Sequence, residues 1–152
     1  TATELVRLGR EVIEEFSVTH PSSDIRLEGD TLCEGWWDGP RMRQVLSNLL
    51  SNALRHARPG SEVGVRLRGR GGEVELAVSN EGEPIPAELL PVLFEPFRRG
   101  MSKFRPAGSL GLGLFIVHQV VTGHGGRVEV GSAGGVTSFT VRVPRGAEAG
   151  KP

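Results

Sequence analysis

The chain has 152 residues, of which 38% are apolar, and this composition is sufficient for one globular domain with a sizeable core. Its 18 basic residues balance 18 acidic ones, so neither nucleic acid nor direct membrane contact is indicated. The single cysteine, Cys33, excludes an intramolecular disulfide, and the 4 scattered histidines offer no zinc-binding pattern, which suits the cytoplasm. No apolar run approaches the roughly 18 residues of a membrane span. The chain begins without Met and could belong to a longer, soluble or membrane-anchored protein.

A helix and two short strands are predicted first. Apolar residues recur at helical spacing over residues 3–16, and Thr3 is the predicted N-cap. Alternating apolar residues predict one strand at residues 25–27, and a second apolar run predicts another over residues 32–37. The dipeptide Gly29-Asp30 supplies the predicted turn between these strands.

A long helix and a β-hairpin follow. Asp38 as a cap and Pro40 at an early position predict the start of the helix, which ends near Ala57. Apolar and polar residues then alternate over residues 63–78 around a glycine-rich turn, and this pattern predicts a hairpin with one buried face. Residues 79–86 are rich in turn-forming types and are expected to be irregular.

The last third of the chain predicts a short helix, a loop, an apolar helix and a closing hairpin. The short helix is expected over Ala87–Phe94. Arg98–Gly108 is basic and lacks periodicity, so we expect a mobile loop there. The apolar helix covers Leu114–Val121, and the hairpin covers residues 128–143.

The predicted elements favour one fold class. Consecutive strands joined by tight turns outnumber the strands that helical crossovers would need, and this indicates antiparallel pairing. We therefore predict an α/β (α+β) two-layer sandwich over residues 1–144, with a mixed, largely antiparallel sheet of about five strands covered on one face by about three helices. Residues 145–152 are expected to be a frayed tail.

The centre of the long helix carries polar side chains that suit a nucleotide. Asn48 and Asn52 are four residues apart and lie on one flank of the helix, His56 continues their line, and Arg55 lies just outside it. Two carboxamides, a flat ring and a cation fit a Mg²⁺-bound nucleotide. Asparagines in helices are more often solvated or capping residues, so this pattern alone leaves both interpretations open.

A glycine-rich stretch, Ser109 to Leu114, opens the apolar helix. Its glycines let backbone N–H groups approach a ligand, which favours phosphate. Close packing of the helix on a sheet explains the same glycines equally well. The stretch lacks the Lys-Ser/Thr of a P-loop and does not follow an early strand as in a dinucleotide fold, so neither site is predicted.

Four separated segments, NLLSNALRH, VSNEGEPIP, LFEPFRR and SLGLGLFIV, occur in this order. Together they resemble the ATP-binding catalytic domain of sensor histidine kinases, within the superfamily that includes gyrase, Hsp90 and mismatch-repair ATPases. The resemblance covers roughly residues 3–144. It implies ATP and Mg²⁺ as ligands and a loop that forms a lid over ATP.

The resemblance also implies roles for individual residues. Asn52 would ligate Mg²⁺, with Asn48 supporting the metal and the phosphates. Arg55 would contact phosphate, and His56 would line the adenine or ribose side. The remaining assignments are Phe94 and Phe97 as anchors of the lid, Arg99 beside the γ-phosphate, and Gly111, Leu112, Gly113 and Leu114 under the phosphates.

The adenine-reading loop of the family usually contains Asp-x-Gly-x-Gly, and the corresponding stretch here begins at Asn80 and includes Gly82 and Ile85. The Asp of the family accepts a hydrogen bond from the adenine 6-amino group, and the Asn80 oxygen can accept the same bond without a charge. Pro84 stiffens a turn that glycine would leave loose. Asn at this place resembles a subset of these kinases, including some bacterial phytochromes, so we expect altered affinity rather than loss of binding.

By this resemblance the chain is the catalytic domain of a protein histidine kinase in a two-component system. None of the 4 histidines matches the expected phosphoacceptor, so the acceptor would lie on a dimerisation domain outside this chain, and a response-regulator receiver domain would be an indirect partner. The chain alone would not autophosphorylate. Hydrolases of the superfamily carry a water-activating Glu where this chain has Asn48, which favours a kinase. An anti-sigma-type serine kinase and a nucleotide-binding or interaction module without kinase activity stay open as alternatives.

Overall fold

The structure, a computed structural model, describes residues 2–29, 33–95 and 112–146 and packs helices on one face of a β-sheet. In chain order the described elements are β1 (Thr3–Glu4), α1 (Leu5–Thr19), β2 (Asp24–Gly29), β3 (Glu34–Gly35), α2 (Gly39–His56), β4 (Glu62–Arg70), β5 (Glu73–Glu81), a 3-10 helix (Ala87–Val92), α3 (Gly113–Gly123), β6 (Arg127–Ala133) and β7 (Val136–Pro144). None of the helices in these ranges combines the length and apolar character that crossing a bilayer requires.

Five of the described strands form one sheet in the order β2-β4-β5-β7-β6. The pairs β4–β5, β5–β7 and β6–β7 are antiparallel, whereas β2 and β4 are parallel. The parallel pair forms because the connection from β2 to β4 contains α2, which carries the chain back along the sheet. The topology confirms the prediction of a mixed, largely antiparallel sheet in a two-layer α/β sandwich.

The core lies between this sheet and the helices. In α2 the predicted apolar face is buried, and Val45 and Leu49 are completely enclosed. Every second side chain of β4 is buried, which is the pattern of a strand with one face against helices. The central strand β5 also buries Glu75 on the opposite face, where its carboxylate lies 3.2 Å from Arg142 Nε and 3.8 Å from Arg70 Nε. The prediction of one buried face is therefore right for β4 and wrong for β5.

The cap of the first helix differs from the prediction. Glu4 is the N-cap of α1, because its carboxylate accepts hydrogen bonds from the backbone N–H groups of Val6 and Arg7, both at 3.0 Å. Thr3, the predicted cap, is instead paired with Gly35 between β1 and β3. Strand pairing has thus moved the start of the helix by one residue.

The hairpin predicted from residues 25–27 and 32–37 is wrong. β2 pairs with β4, and the two-residue strand β3 pairs with β1 in a small separate sheet. Gly35 is required there because a Cβ atom would lie 2.3 Å from the indole ring of Trp37. Residues 30–32, which include part of the predicted turn, lie outside the described residues.

Two further boundaries depart from the sequence predictions. β5 continues to Glu81, so Asn80 lies in a strand rather than in an irregular segment. Its neighbours β4 and β7 supply hydrogen bonds on both sides, and this ladder outweighs the turn preference of the residues. The predicted helix over Ala87–Phe94 is a 3-10 helix, and Pro91 within it lacks the N–H that an α-helical bond needs.

The chain end is anchored as far as the structure describes it. Arg145 donates from its backbone N–H to Gly72 O at 2.8 Å, and its guanidinium donates to Gly71 O at 2.7 Å and Glu34 O at 2.8 Å. The indole Nε1 of Trp37 donates to Pro144 O at 2.7 Å. The frayed tail therefore stays a prediction for residues 147–152, which lie outside the described residues.

Candidate functional site

The carboxamides of Asn48 and Asn52 lie one turn apart on α2, as predicted. Asn52 is only 8% exposed, and Asn48 is half-buried. The Asn48 Nδ2 atom is buried and has no hydrogen-bond partner among the described residues. A buried donor left unpaired costs about 1–3 kcal/mol, so this amide is poised for an acceptor supplied by a ligand.

The cation of the predicted site lies beside these amides. Arg55 donates to Asn52 Oδ1 and to Ser51 Oγ, both at 3.5 Å, which is the long limit of a hydrogen bond. Partial desolvation lowers the pKa of the Arg55 guanidinium from its ordinary value. Arginine nevertheless stays charged in proteins, so Asn52 Oδ1 faces a weakly held cation that could turn to an anion.

The start of α3 lies against Asn48. A Cβ atom on Gly113 would be 3.9 Å from the Asn48 carboxamide. The N-cap of α3 is Leu112, whose apolar side chain makes no capping bond to the N–H groups of the first turn. The N-terminus of α3 therefore lies beside Asn48, and the first-turn N–H groups of a helix, which have no intrahelical partner, can bind an anion. Leu114, like Gly113, is half-buried there.

Asn80 enters the site from the end of β5. Its Nδ2 donates to Glu81 O at 3.3 Å, and its Oδ1 has no partner in the described part of the chain. The oxygen is therefore the atom available to accept a hydrogen bond. Gly82 follows, and a Cβ atom there would lie 2.3 Å from the backbone oxygen of His56. Only glycine lets this loop approach the end of α2 so closely.

Two hydroxyl residues that the sequence analysis did not select hold the adjacent loop. Ser132 Oγ accepts a hydrogen bond from Ile85 N at 3.3 Å and lies 3.2 Å from Thr137 Oγ1. Thr137 is buried and sits directly opposite Asn80 in the β5–β7 register. The sequence did contain a signal for this pair: a threonine stands at a core-facing position of the predicted closing hairpin, and a buried hydroxyl needs a hydrogen-bond partner.

Phe94 is packed at the point where the described chain breaks off. Its ring lies 5.7 Å from the His118 ring and 6.1 Å from the Phe139 ring, with an edge-to-face geometry in the second pair. Phe94 is thus fixed between α3 and β7. Phe97, Arg99, Gly111 and the loop Arg98–Gly108 lie outside the described residues, and their roles stay predictions.

The metal predicted for this site fits the residues under one condition. Within the described ranges, no group of three or more His, Cys, Asp or Glu is arranged to hold a metal ion. Mg²⁺ in nucleotide sites is bound by few protein oxygens together with substrate phosphates. The Asn48 and Asn52 carboxamides, which carry no charge, therefore fit Mg²⁺ only when phosphates complete its coordination.

Comparison with known proteins identifies the family to which this chain belongs. The model of a family described as histidine kinase-, DNA gyrase B-, and HSP90-like ATPase matches residues 37–147. The probable sensor histidine kinase TcrY of Mycobacterium tuberculosis is 47% identical over 108 residues, which are 70% of this chain and 23% of that protein. The bacteriophytochrome of Pseudomonas aeruginosa is 37% identical over 150 residues, which are 97% of this chain and 21% of that protein. The chain thus spans less than a quarter of either relative.

Solved structures share the fold over nearly the whole chain. The nucleotide-free catalytic domain of the histidine kinase ThkA superposes with a TM-score of 0.83 at 28% identity, covering 96% of this chain and 95% of that one. The mycobacterial sensor histidine kinase MprB gives a TM-score of 0.83 at 27% identity, covering 97% of this chain and 99% of that one. Both superpositions therefore extend over almost all of this chain.

Proposed function

This chain belongs to the family of histidine kinase-, DNA gyrase B- and HSP90-like ATPases, and we propose that it works as the ATP-binding catalytic domain of a sensor histidine kinase. In this role it binds ATP with Mg²⁺ and presents the γ-phosphoryl group to a histidine on a dimerisation domain of the same protein. A receiver domain of a response regulator then takes the phosphoryl group from that histidine. The proposed location is the cytoplasm.

One observation carries the proposal: the Asn48 carboxamide, whose Nδ2 is buried and has no partner among the described residues, lies against the start of α3. A phosphate oxygen between them would satisfy the amide and the free N–H groups together. Arg55, about two turns further along α2 and next to Asn52, adds a cation for the same phosphates. Asn52 and Asn48 offer the carboxamide oxygens for Mg²⁺, which when bound would offset charge on the phosphates.

The opposite end of the site is proposed to read the base. The free Oδ1 of Asn80 accepts from the adenine 6-amino group, a hydrogen bond that the 6-oxo group of guanine cannot donate. Gly82 and Ile85 shape the wall beside it, held by Gly135 O and by Ser132 Oγ respectively. His56 closes the α2 side, where its backbone oxygen touches Gly82.

The residues suit transfer to an imidazole better than hydrolysis. Asn48 cannot take a proton, so it does not activate water. An attacking imidazole nitrogen needs no general base: its bond to the γ-phosphorus forms as the bond to the β,γ-bridging oxygen breaks, and ADP leaves. The resemblance matches none of this chain's 4 histidines to the acceptor, and His118 packs on Phe94 while the His124 ring is bonded to α3, so we assign the acceptor to the dimerisation domain. The relatives are sensor histidine kinases, which favours this acceptor over the serine of an anti-sigma-type kinase.

The test is calorimetric titration with ATP, with and without Mg²⁺, of the parent chain, Asn52→Ala and the control Gln119→Ala. Gln119 is an exposed carboxamide on α3. We expect Asn52→Ala to lose most of the Mg²⁺-dependent gain in affinity and Gln119→Ala to keep it. If Asn52→Ala shows the same Mg²⁺ dependence as the parent, its assignment as a metal ligand is wrong. A parent chain that binds no ATP at all would refute the proposed function.

A further inference from the structure

His124 connects the end of α3 to the beginning of α2. It is the C-cap of α3, and its Nδ1 lies 2.8 Å from Val120 O in the last turn. Its Nε2 accepts a hydrogen bond from the backbone N–H of Asp38 at 3.2 Å, and Asp38 is the N-cap of α2. One side chain therefore bonds to a carbonyl in the last turn of α3, which also accepts from the backbone N–H of His124 at 3.1 Å, and to the N–H of the α2 N-cap.

These two bonds specify the state of the ring. A carbonyl oxygen can only accept, so Nδ1 must carry a proton, and an N–H can only donate, so Nε2 must have a free lone pair. Only the neutral imidazole with its proton on Nδ1 meets both conditions. A second proton would occupy the Nε2 lone pair and remove the bond to Asp38 N.

The His124 clasp, which consists of its bonds to Val120 O and Asp38 N, lies at one end of the α2–α3 pair. The proposed phosphate side of the site lies towards the other end of α3. Asp38 and Asn48 are 10 residues apart (48 − 38), and His124 and Gly113 are 11 apart (124 − 113). At about 1.5 Å per residue, the two contacts are roughly 15 Å apart along either helix, which is what an antiparallel pair in fixed register requires. A slip of α3 at the clasp therefore changes the approach of Gly113 to Asn48.

We propose that His124, as a neutral imidazole, is a positioning residue of the nucleotide site. It fixes the register of α3 against α2 and so holds the first turn of α3 opposite Asn48. This inference rests on the proposed binding of nucleotide phosphates at that turn. It adds a requirement that the ATP-binding residues themselves do not impose, namely that affinity depends on the protonation state of a residue at the far end of α3.

Solvent and few charges surround the ring. His124 is half-buried in the wall of an open cavity of about 490 Å³ between the two helices, so protons reach it. The titratable or charged groups that line this cavity with it are Asp38 and Arg41, both from α2, and α3 contributes the neutral Gln119. Arg127 on the following strand is directed to Glu73 and Glu129. The Asp38 carboxylate already accepts from Arg41 N at 3.1 Å.

Two substitutions separate the two bonds of the clasp. Gln at position 124 can present an acceptor where Nε2 stands, and that acceptor does not titrate. Asn is shorter and can present a donor only where Nδ1 stands, so it keeps the bond to Val120 O and loses the bond to Asp38 N. His20→Gln is the matched control, because His20 is the exposed C-cap of α1 and contacts its neighbour Thr19.

The experiment measures the affinity of each chain for a non-hydrolysable ATP analogue with Mg²⁺, by calorimetry from about pH 8 to about pH 5.5, the interval in which histidines ordinarily gain a proton. The ratio of parent to variant affinity at each pH cancels the titration of the nucleotide itself. At pH 8 we expect His124→Asn to bind about fivefold more weakly, the equivalent of one net hydrogen bond, and His124→Gln to bind like the parent. As the pH is lowered, the ratio of parent to His124→Gln affinity should fall, and His20→Gln should follow the parent.

Nitrogen-15 NMR of the parent ring supplies an independent reading of the tautomer. Protonation of Nε2 instead of Nδ1 at pH 8 would overturn the proposal. So would equal affinities of His124→Asn and the parent across the whole pH range, while the proposed function would stand. A folded parent chain without affinity at pH 8 would refute the nucleotide site itself.

Discussion

Replacing Gly82 by alanine tests the contact that brings the two sides of the candidate site together. The Cβ atom of the new side chain would lie 2.3 Å from His56 O, and side-chain carbons essentially never come within 3.0 Å of such an atom. The loop or the end of α2 must therefore move by at least 0.7 Å (3.0 − 2.3). The loop cannot simply swing outward, because Gly82 N donates to Gly135 O at 3.0 Å on its other side.

The expected cost follows from that constraint. Overpacking at a site that cannot relax destabilises a protein by about 1–3 kcal/mol, so we expect Gly82→Ala to lower the free energy of unfolding by that amount. The same shift moves Asn80 away from its predicted adenine contact, and ATP affinity should fall about five- to tenfold, the value of one hydrogen bond to the base.

Gly72→Ala is the matched control. A Cβ atom at Gly72 would have no heavy atom within 4 Å, and Gly72 is not among the glycines with positive φ. Urea denaturation gives the unfolding free energies, and calorimetry gives the ATP affinities. If Gly82→Ala matches Gly72→Ala within about 0.5 kcal/mol in stability and equals the parent in ATP affinity, then the close approach of the loop to α2 is not a constraint of the native protein.

Two further predictions concern the end of the site that is proposed to read the base. Asn80→Asp should raise the ratio of ATP to GTP affinity by about fivefold, because a charge-assisted bond to the adenine amino group is roughly twice as strong as a neutral one. The same substitution should lower the free energy of unfolding by about 1 kcal/mol, since the bond from Asn80 Nδ2 to Glu81 O is lost. Paired titrations with ATP and GTP measure the affinity ratio, and urea denaturation measures the stability. An unchanged ratio would mean that Asn80 does not contact the adenine. Ser132→Ala should remove the hydrogen bond to Ile85 N and weaken ATP binding about threefold to fivefold. The control Ser138→Ala changes a residue on the opposite face of β7 from Thr137 and should leave ATP affinity unchanged. Equal loss in both serine variants would indicate a general effect on the sheet.

Much of this fold could be read from the sequence, because the decisive signals are local. The apolar face of α2 recurs every three to four residues, and burial of Val45 and Leu49 follows from it. The Asp38 cap and the alternation along β4 are equally short-range patterns, and the structure contains both. The predicted line of Asn48 and Asn52 needed only the helical repeat.

Tertiary structure decided the features that join residues distant in the chain. Glu4 replaced Thr3 as a cap because β1 had to pair with β3, and Asn80 became part of a strand because β4 and β7 flank it on both sides. The bond between His124 and Asp38 spans 86 positions. No local sequence pattern predicts such a contact, since secondary-structure propensity and hydrophobic periodicity describe only neighbours within a few residues. The sequence alone therefore determined which side chains could bind a nucleotide, whereas packing determined which atoms of those side chains were left free to do so.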